Sequence, residues 1–221
     1  MTTEEERGMS TRKIITISRQ FGSGGKNIGE RLALKLKIPF YDSALIYESA
    51  KKTGLNPEIV KDLEESPSNS LLYSLVANSF LGAGSFSPIM ELPIIDKIFI
   101  AQSKEIRKIA EAGSCVIVGR CGNYILRDDP DLYSIFIHRN LEERIHQVSK
   151  INNLSLAKAE ELVHKTDKRR KNYYNYYTDE EWSKAENYNL SLDSGMLGED
   201  GCVDLIESFI EKSEIRKKIR G

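Results

Sequence analysis

The clearest chemical signal in the chain is Ser18-Arg-Gln-Phe-Gly-Ser-Gly-Gly25, followed by Lys26 and Asn27. Glycines let backbone N–H groups turn inward without interference from a Cβ, and the start of a helix adds roughly half a positive charge. Gly22, Ser23, Gly24, Gly25, Lys26 and Asn27 therefore form a candidate cradle for the phosphates of a nucleotide. A plain strand-to-helix turn would use the same glycines; the position directly after an apolar run favours the cradle. The general phosphate-loop pattern is Gly-x-x-x-x-Gly-Lys-[Ser/Thr]. Here the position six before Lys26 is Gln20 and the one after it is Asn27, so the pattern is broken at both ends.

Two further stretches could contribute. Asp42-Ser43-Ala-Leu-Ile46-Tyr47 opens with a residue suited to an N-cap. It follows a second apolar run, on the side where open α/β sheets bind ligands. His164 to Lys171 holds five Lys or Arg residues and runs into Tyr173, Tyr174, Tyr176 and Tyr177. It reads as a solvated helix face with tyrosine cover, a grip for polyphosphate, or an RNA-binding stretch. With 32 Lys+Arg against 33 Asp+Glu, bulk electrostatic binding of nucleic acid is disfavoured, whereas a local basic pocket is not. His138, His146 and His164 lack metal-ligand spacing, so no metal site is expected. Cys115, Cys121 and Cys202 form no CxxC pair, which fits free thiols in a reducing cytoplasm.

The elements that must position these residues follow from hydrophobic periodicity. Apolar strand runs fall at Lys13–Ile17, Pro39–Tyr41, Ser114–Gly119, Leu132–His138 and Asn189–Asp193. Helical spacing covers the stretch after the glycine loop to about Lys37 and the stretch from Asp42. It returns at Leu92–Ala112, where Gly113 stops the helix, and at Leu141–Ile151, Leu156 to about Tyr174 and Val203 to about Lys212. Residues 54–93 carry little periodicity and contain Gly-, Ser- and Pro-rich loops. Alternating strands and helices predict an α/β fold with a mainly parallel sheet and helices on both faces. A polar N-terminus over residues 1–12 is expected to fray ahead of one domain at 13–221. No apolar run is long enough for a membrane helix, and the acidic start does not read as a signal peptide.

Ile15-Thr-Ile17, the glycine loop and Asp42-Ser43-x-x-Ile46-Tyr47 resemble, in that order, bacterial cytidylate kinases. Those enzymes read Ile-Thr-Ile-Asp-Gly-Pro-Ser-Gly-Ala-Gly-Lys-Gly-Thr and Asp-Ser-Gly-Ala-Ile-Tyr-Arg at the corresponding places. Val116-Ile-Val-Gly119-Arg120, Asp129 to Ile137 and Glu142-Glu143-Arg144 continue the resemblance, which spans about residues 13–212. The Ser-Arg-x-Phe-Gly-Ser-Gly-Gly signature is closer to the cytidylate kinase-like group. The resemblance implies a P-loop nucleotide-kinase fold with a five-stranded parallel sheet, a monophosphate-binding insert at about 54–105 and a helical lid at about 155–185.

It also implies transfer of the γ-phosphoryl of ATP, with Mg²⁺, to a nucleoside monophosphate such as CMP or dCMP. Gly22 to Gly25, with Lys26 and Asn27, would hold the ATP phosphates. Asp42, Ser43, Tyr47, Arg120 and Asp167 would face the acceptor, and Lys26, Arg19, Arg120, Arg169 and Arg170 would supply catalytic charge. Aligned without gaps, however, the kinase lysine falls on Gly25, its first glycine on Arg19 and its Mg²⁺-side threonine on Asn27. Glu48 and Cys121 replace an arginine and an aspartate. A nucleotide-binding regulator with lost turnover is therefore the second reading. A cytoplasmic monomer or homodimer, without membrane or nucleic-acid partners, completes the expectation.

Overall fold

The computed structural model describes residues 12–46 and 94–220. Tyr47, Glu48 and the loop-rich stretch 54–93 lie outside them. The chain divides into two units, residues 1–45 with 106–221 and residues 46–105; every described candidate site residue belongs to the first.

Five strands form one sheet: β1 (Ile14–Arg19), β2 (Phe40–Tyr41), β3 (Cys115–Val118), β4 (Leu132–His138) and β5 (Leu190–Asp193). Their order is β2-β3-β1-β4-β5 and every pairing is parallel. Parallel strands are buried on both faces, so they read as continuous apolar runs, and Ile14 to Ile17 are almost fully buried. Ile15 and Ile17 of β1 join Val116, Val118, Ile135 and Ile137 in one core. That core is covered by Ile28 and Leu32 of α1 (Gly25–Leu36) and by Cys202, Val203, Ile206 and Ile210 of the last helix. Thr16 and Ile117 point the other way, against Gly122 of the short helix α3 (Gly122–Ile125). The long helix α2 (Ile94–Ala112) precedes β3 and is stopped at Gly113, as its sequence predicts.

Two helices lie between β4 and β5: α4 (Leu141–Asn152) and α5 (Leu156–Thr178). Each has a side-chain cap, from Asn140 to the Glu142 amide and from Ser155 to the Lys158 amide. The last helix, α6 (Ser194–Arg220), begins well before Val203 and is interrupted at Gly198, whose φ of 68° and ψ of 173° are not helical. Gly198 and Gly201 hid this start from a periodicity reading. Glu199 and Asp200 on α6 face Arg31 of α1 and tie the two helices together. Arg12, expected to fray, instead forks onto Asp129 at 2.7 and 2.8 Å and reaches Asp131 at 3.2 Å. Among the described residues no helix is long and apolar enough to cross a membrane.

Candidate active site

Strand order reverses around β1, so the crevice at its carboxyl end is where an α/β sheet places a ligand. Strand β1 runs two residues further than its apolar stretch, to Arg19, which still pairs with Ile137. The chain then enters the glycine loop, whose shape is set largely by distant partners. The Gln20 amide donates to the Ile137 carbonyl, and the Gln20 side chain accepts from the Arg139 amide. The Phe21 amide donates to Asp167 at 2.7 Å, and the Phe21 carbonyl accepts from Arg144 at 3.1 Å. Ser194 donates its hydroxyl to the Ser23 carbonyl at 2.7 Å.

Within the loop, Gly22 has φ 80° and Gly24 φ 76°, conformations that disfavour a side chain. Ser23 is fully buried and turns its hydroxyl back to the Gln20 carbonyl, so its side chain braces the loop rather than facing the crevice. Gly24 is the N-cap of α1, and this helix, unlike α4 and α5, has no side-chain cap. Its first-turn amides are the natural seat for an anion. Asn27 is exposed and donates its side-chain amide to Glu199 at 3.2 Å.

The cations separate into distinct roles. Lys26, exposed, pairs with Asp42 at 2.6 Å. Asp42 also accepts from the Ala44 and Leu45 amides, both at 3.0 Å, as its expected capping role requires. Burial opposes its ionisation, but the Lys26 ammonium and the two amides more than offset that, holding the carboxyl below its ordinary range. Ser43, partly exposed, is the next residue on the chain.

Arg19 lies at the centre. Burial first, then the charges of Arg170 and Arg120, push its guanidinium down to about 9, with Asp42 acting in the opposite sense. Arg170 donates to the Arg19 carbonyl at 2.9 Å and lies over the Phe21 ring. Burial, followed by the neighbouring Arg169, Arg120 and Arg144, brings it to about 10 despite Asp167. Arg120 sits on a turn in which Gly119, Arg120 and Cys121 all have positive φ, at 87°, 54° and 56°. For the two residues that are not glycine this conformation costs about 1–2 kcal/mol each. The turn carries Arg120 into electrostatic reach of Arg19 and Arg170.

Of the two arginines on α5, Arg170 reaches the loop while its neighbour Arg169 is exposed, as residues one apart on a helix must diverge. Asp167 is engaged with Arg144 at 2.6 Å as well as with the loop. Arg144 is nearly fully buried and also donates to the Arg139 carbonyl. Sequence reasoning noted Arg144 only inside a motif and missed Ser194 and Gln20; no local pattern marks a residue whose partner is more than a hundred positions away. Tyr174 is buried, bonded to Asn123 and Glu180, and Tyr173 and Tyr176 each meet the Tyr177 ring edge to face. Tyr174 thus serves as packing, Tyr176 is exposed, and the Tyr173 ring lies under the Arg120 guanidinium; Trp182 is set against Phe136. Among the described residues no group of three His, Cys, Asp or Glu could hold a metal ion.

A model of the cytidylate kinase-like family matches residues 14–196. No curated protein gives a significant match. An uncharacterised protein from Eubacterium ventriosum is 30% identical with a TM-score of 0.70, covering 91% of this chain and 99% of that one. A shikimate kinase from Bacteroides thetaiotaomicron is 10% identical with a TM-score of 0.54, at 91% and 99% coverage. A shikimate kinase from Acinetobacter baumannii, solved with shikimate, is 13% identical with a TM-score of 0.50, at 94% and 96% coverage. At such identities the likeness to the shikimate kinases is one of fold alone.

Proposed function

Because the chain belongs to the cytidylate kinase-like family, we propose that it transfers the γ-phosphoryl group of ATP to a small anionic acceptor, a nucleoside monophosphate such as CMP or dCMP. One observation carries the reading: Arg19, Arg120 and Arg170 converge at the carboxyl end of β1, beside a helix end that has no side-chain cap. Asp42 and Asp167 offset part of the repulsion among these three guanidiniums, and an anion shared among them would relieve more of it.

Phosphoryl transfer asks for alignment and charge neutralisation rather than covalent help from the protein. The first-turn amides of α1 fit the donor phosphates, and Arg170, coming from α5, fits the group in transit. Arg120, at the end of β3, and Asp42 with Ser43, at the end of β2, suit the acceptor side. Mg²⁺, when bound, would supply charge neutralisation for the phosphoryl group in transit. The helix from Leu156 to Thr178, already touching the loop through Asp167 and Arg170, would act as the lid that excludes water.

The test is a coupled ADP-release assay over the common nucleoside monophosphates, with water as the control acceptor. Acceptor-stimulated turnover is expected; ATP consumption that no acceptor accelerates would refute the transfer reading. Gly25, which stands where the usual lysine does, favours a second reading, a nucleotide-binding regulator without turnover. Calorimetric nucleotide binding with no activity toward any acceptor would select it.

A further inference from the structure

The two largest departures of the glycine loop from the usual pattern turn out to be one structural event. Aligned without gaps, the loop has Arg19 under the first glycine and Gly25 under the lysine. A Cβ built on Gly25 would stand 2.5 Å from the Arg19 Cβ and 2.9 Å from its Cγ. No side chain fits there while Arg19 is present, because the stem of Arg19 occupies the room that a residue at position 25 would need. Past Gly25, the guanidinium reaches Gly119 at the end of β3, where its Nη1 again leaves no space for a Cβ. The nearby Lys26 is directed elsewhere, onto Asp42.

We infer that Arg19 is the phosphate-loop cation, moved from the helix side of the loop to the strand side, where it contacts the donor's terminal phosphates; Gly25 and Gly119 are glycines in order to seat it. Lys26 is thereby released to hold Asp42 on the acceptor side. The inference rests on the nucleotide-dependent transfer proposed above and specifies its donor subsite. A guanidinium is the better group to move, since its planar fork can bridge two phosphate oxygens where an ammonium meets them as a point charge. Arg19 is half-buried, and the lowered basicity that burial and then its arginine neighbours impose on it would be relieved by a phosphate at the crevice.

The experiment is calorimetric binding of a non-hydrolysable ATP analogue with Mg²⁺ to wild type and to a small set of variants, each checked for folding by circular dichroism. Arg19→Ala is expected to weaken binding roughly 10- to 100-fold, the worth of hydrogen bonds to a charged group. Lys26→Ala is expected to stay within about fivefold of wild type, as an exposed ion pair allows, and to raise the acceptor KM instead. Gly25→Lys alone should overlap the Arg19 stem and lose both stability and binding. Arg19→Gly combined with Gly25→Lys restores the usual arrangement and should recover binding well beyond the sum of the single changes.

If wild type binds the analogue and Arg19→Ala binds it equally well, the relocation is wrong and the nucleotide reading stands. If wild type binds no nucleotide, both fall. Should Arg19→Ala fail to fold, Arg19→Lys replaces it. A folded Arg19→Lys with affinity reduced by less than Arg19→Gly supports the relocation, and one with unchanged affinity in both variants overturns it.

Discussion

Leaving a buried guanidinium without its carboxylate is expensive, and Arg144 is in that position with respect to Asp167. One oxygen of Asp167 neutralises Arg144 and the other accepts the Phe21 amide, so a single side chain holds both α4 and the glycine loop. Asp167→Ala should therefore lower stability by about 3 kcal/mol, measured by urea denaturation. The resemblance to cytidylate kinases implied instead that Asp167 faces the acceptor. A variant with unchanged stability and a raised acceptor KM would restore that role. The residue types at 19, 26, 120 and 167 were legible in the sequence as candidates. Their destinations were not, because Lys26 turns to Asp42 and Arg19 to Gly119 through contacts between segments far apart on the chain.

At the scale of elements, strands were the easiest to read, since a parallel strand buried on both sides is written as an uninterrupted apolar run. Leu132–His138 was placed to the residue for that reason. Helix starts depend on caps, and those with Asn or Ser in place were also found: α4 begins at Leu141 and α5 at Leu156. The start of α6 was missed because a glycine with extended ψ interrupts it. Caps also separate structural helix ends from functional ones. Asn140→Ala removes the acceptor for the Glu142 amide and should cost about 1 kcal/mol in thermal or urea unfolding, with nucleotide affinity unchanged. A loss of affinity instead would mean that α4 takes part in ligand binding.

For the molecule as a whole, the fold class and the order of motifs were available from sequence alone, because hydrophobic period and motif spacing are local properties. The stretch 54–93, which carries composition without period, was not legible in the same way. The three cysteines offer a readout of global opening. Burial, the leading cause in each case, pushes the thiols of Cys115 and Cys121 up to about 12 and that of Cys202 to about 11. Alkylation needs the thiolate, which is scarce at pH 8 under those conditions. Iodoacetamide at that pH should label none of them in the native protein and all three together on unfolding, as mass spectrometry would show. Early labelling of Cys121 alone would reveal local opening of the turn at the end of β3.

Most of the bonds that shape the glycine loop come from Ile137, Arg139, Arg144, Asp167 and Ser194, none of which belongs to it. Its signature is therefore not portable. Transplanted into another strand-to-helix junction, Ser18 to Lys26 would bring the letters but leave the curvature behind. By the same logic, two chains can share those letters and differ in competence if their fourth strand, fourth helix, fifth helix or final helix has drifted.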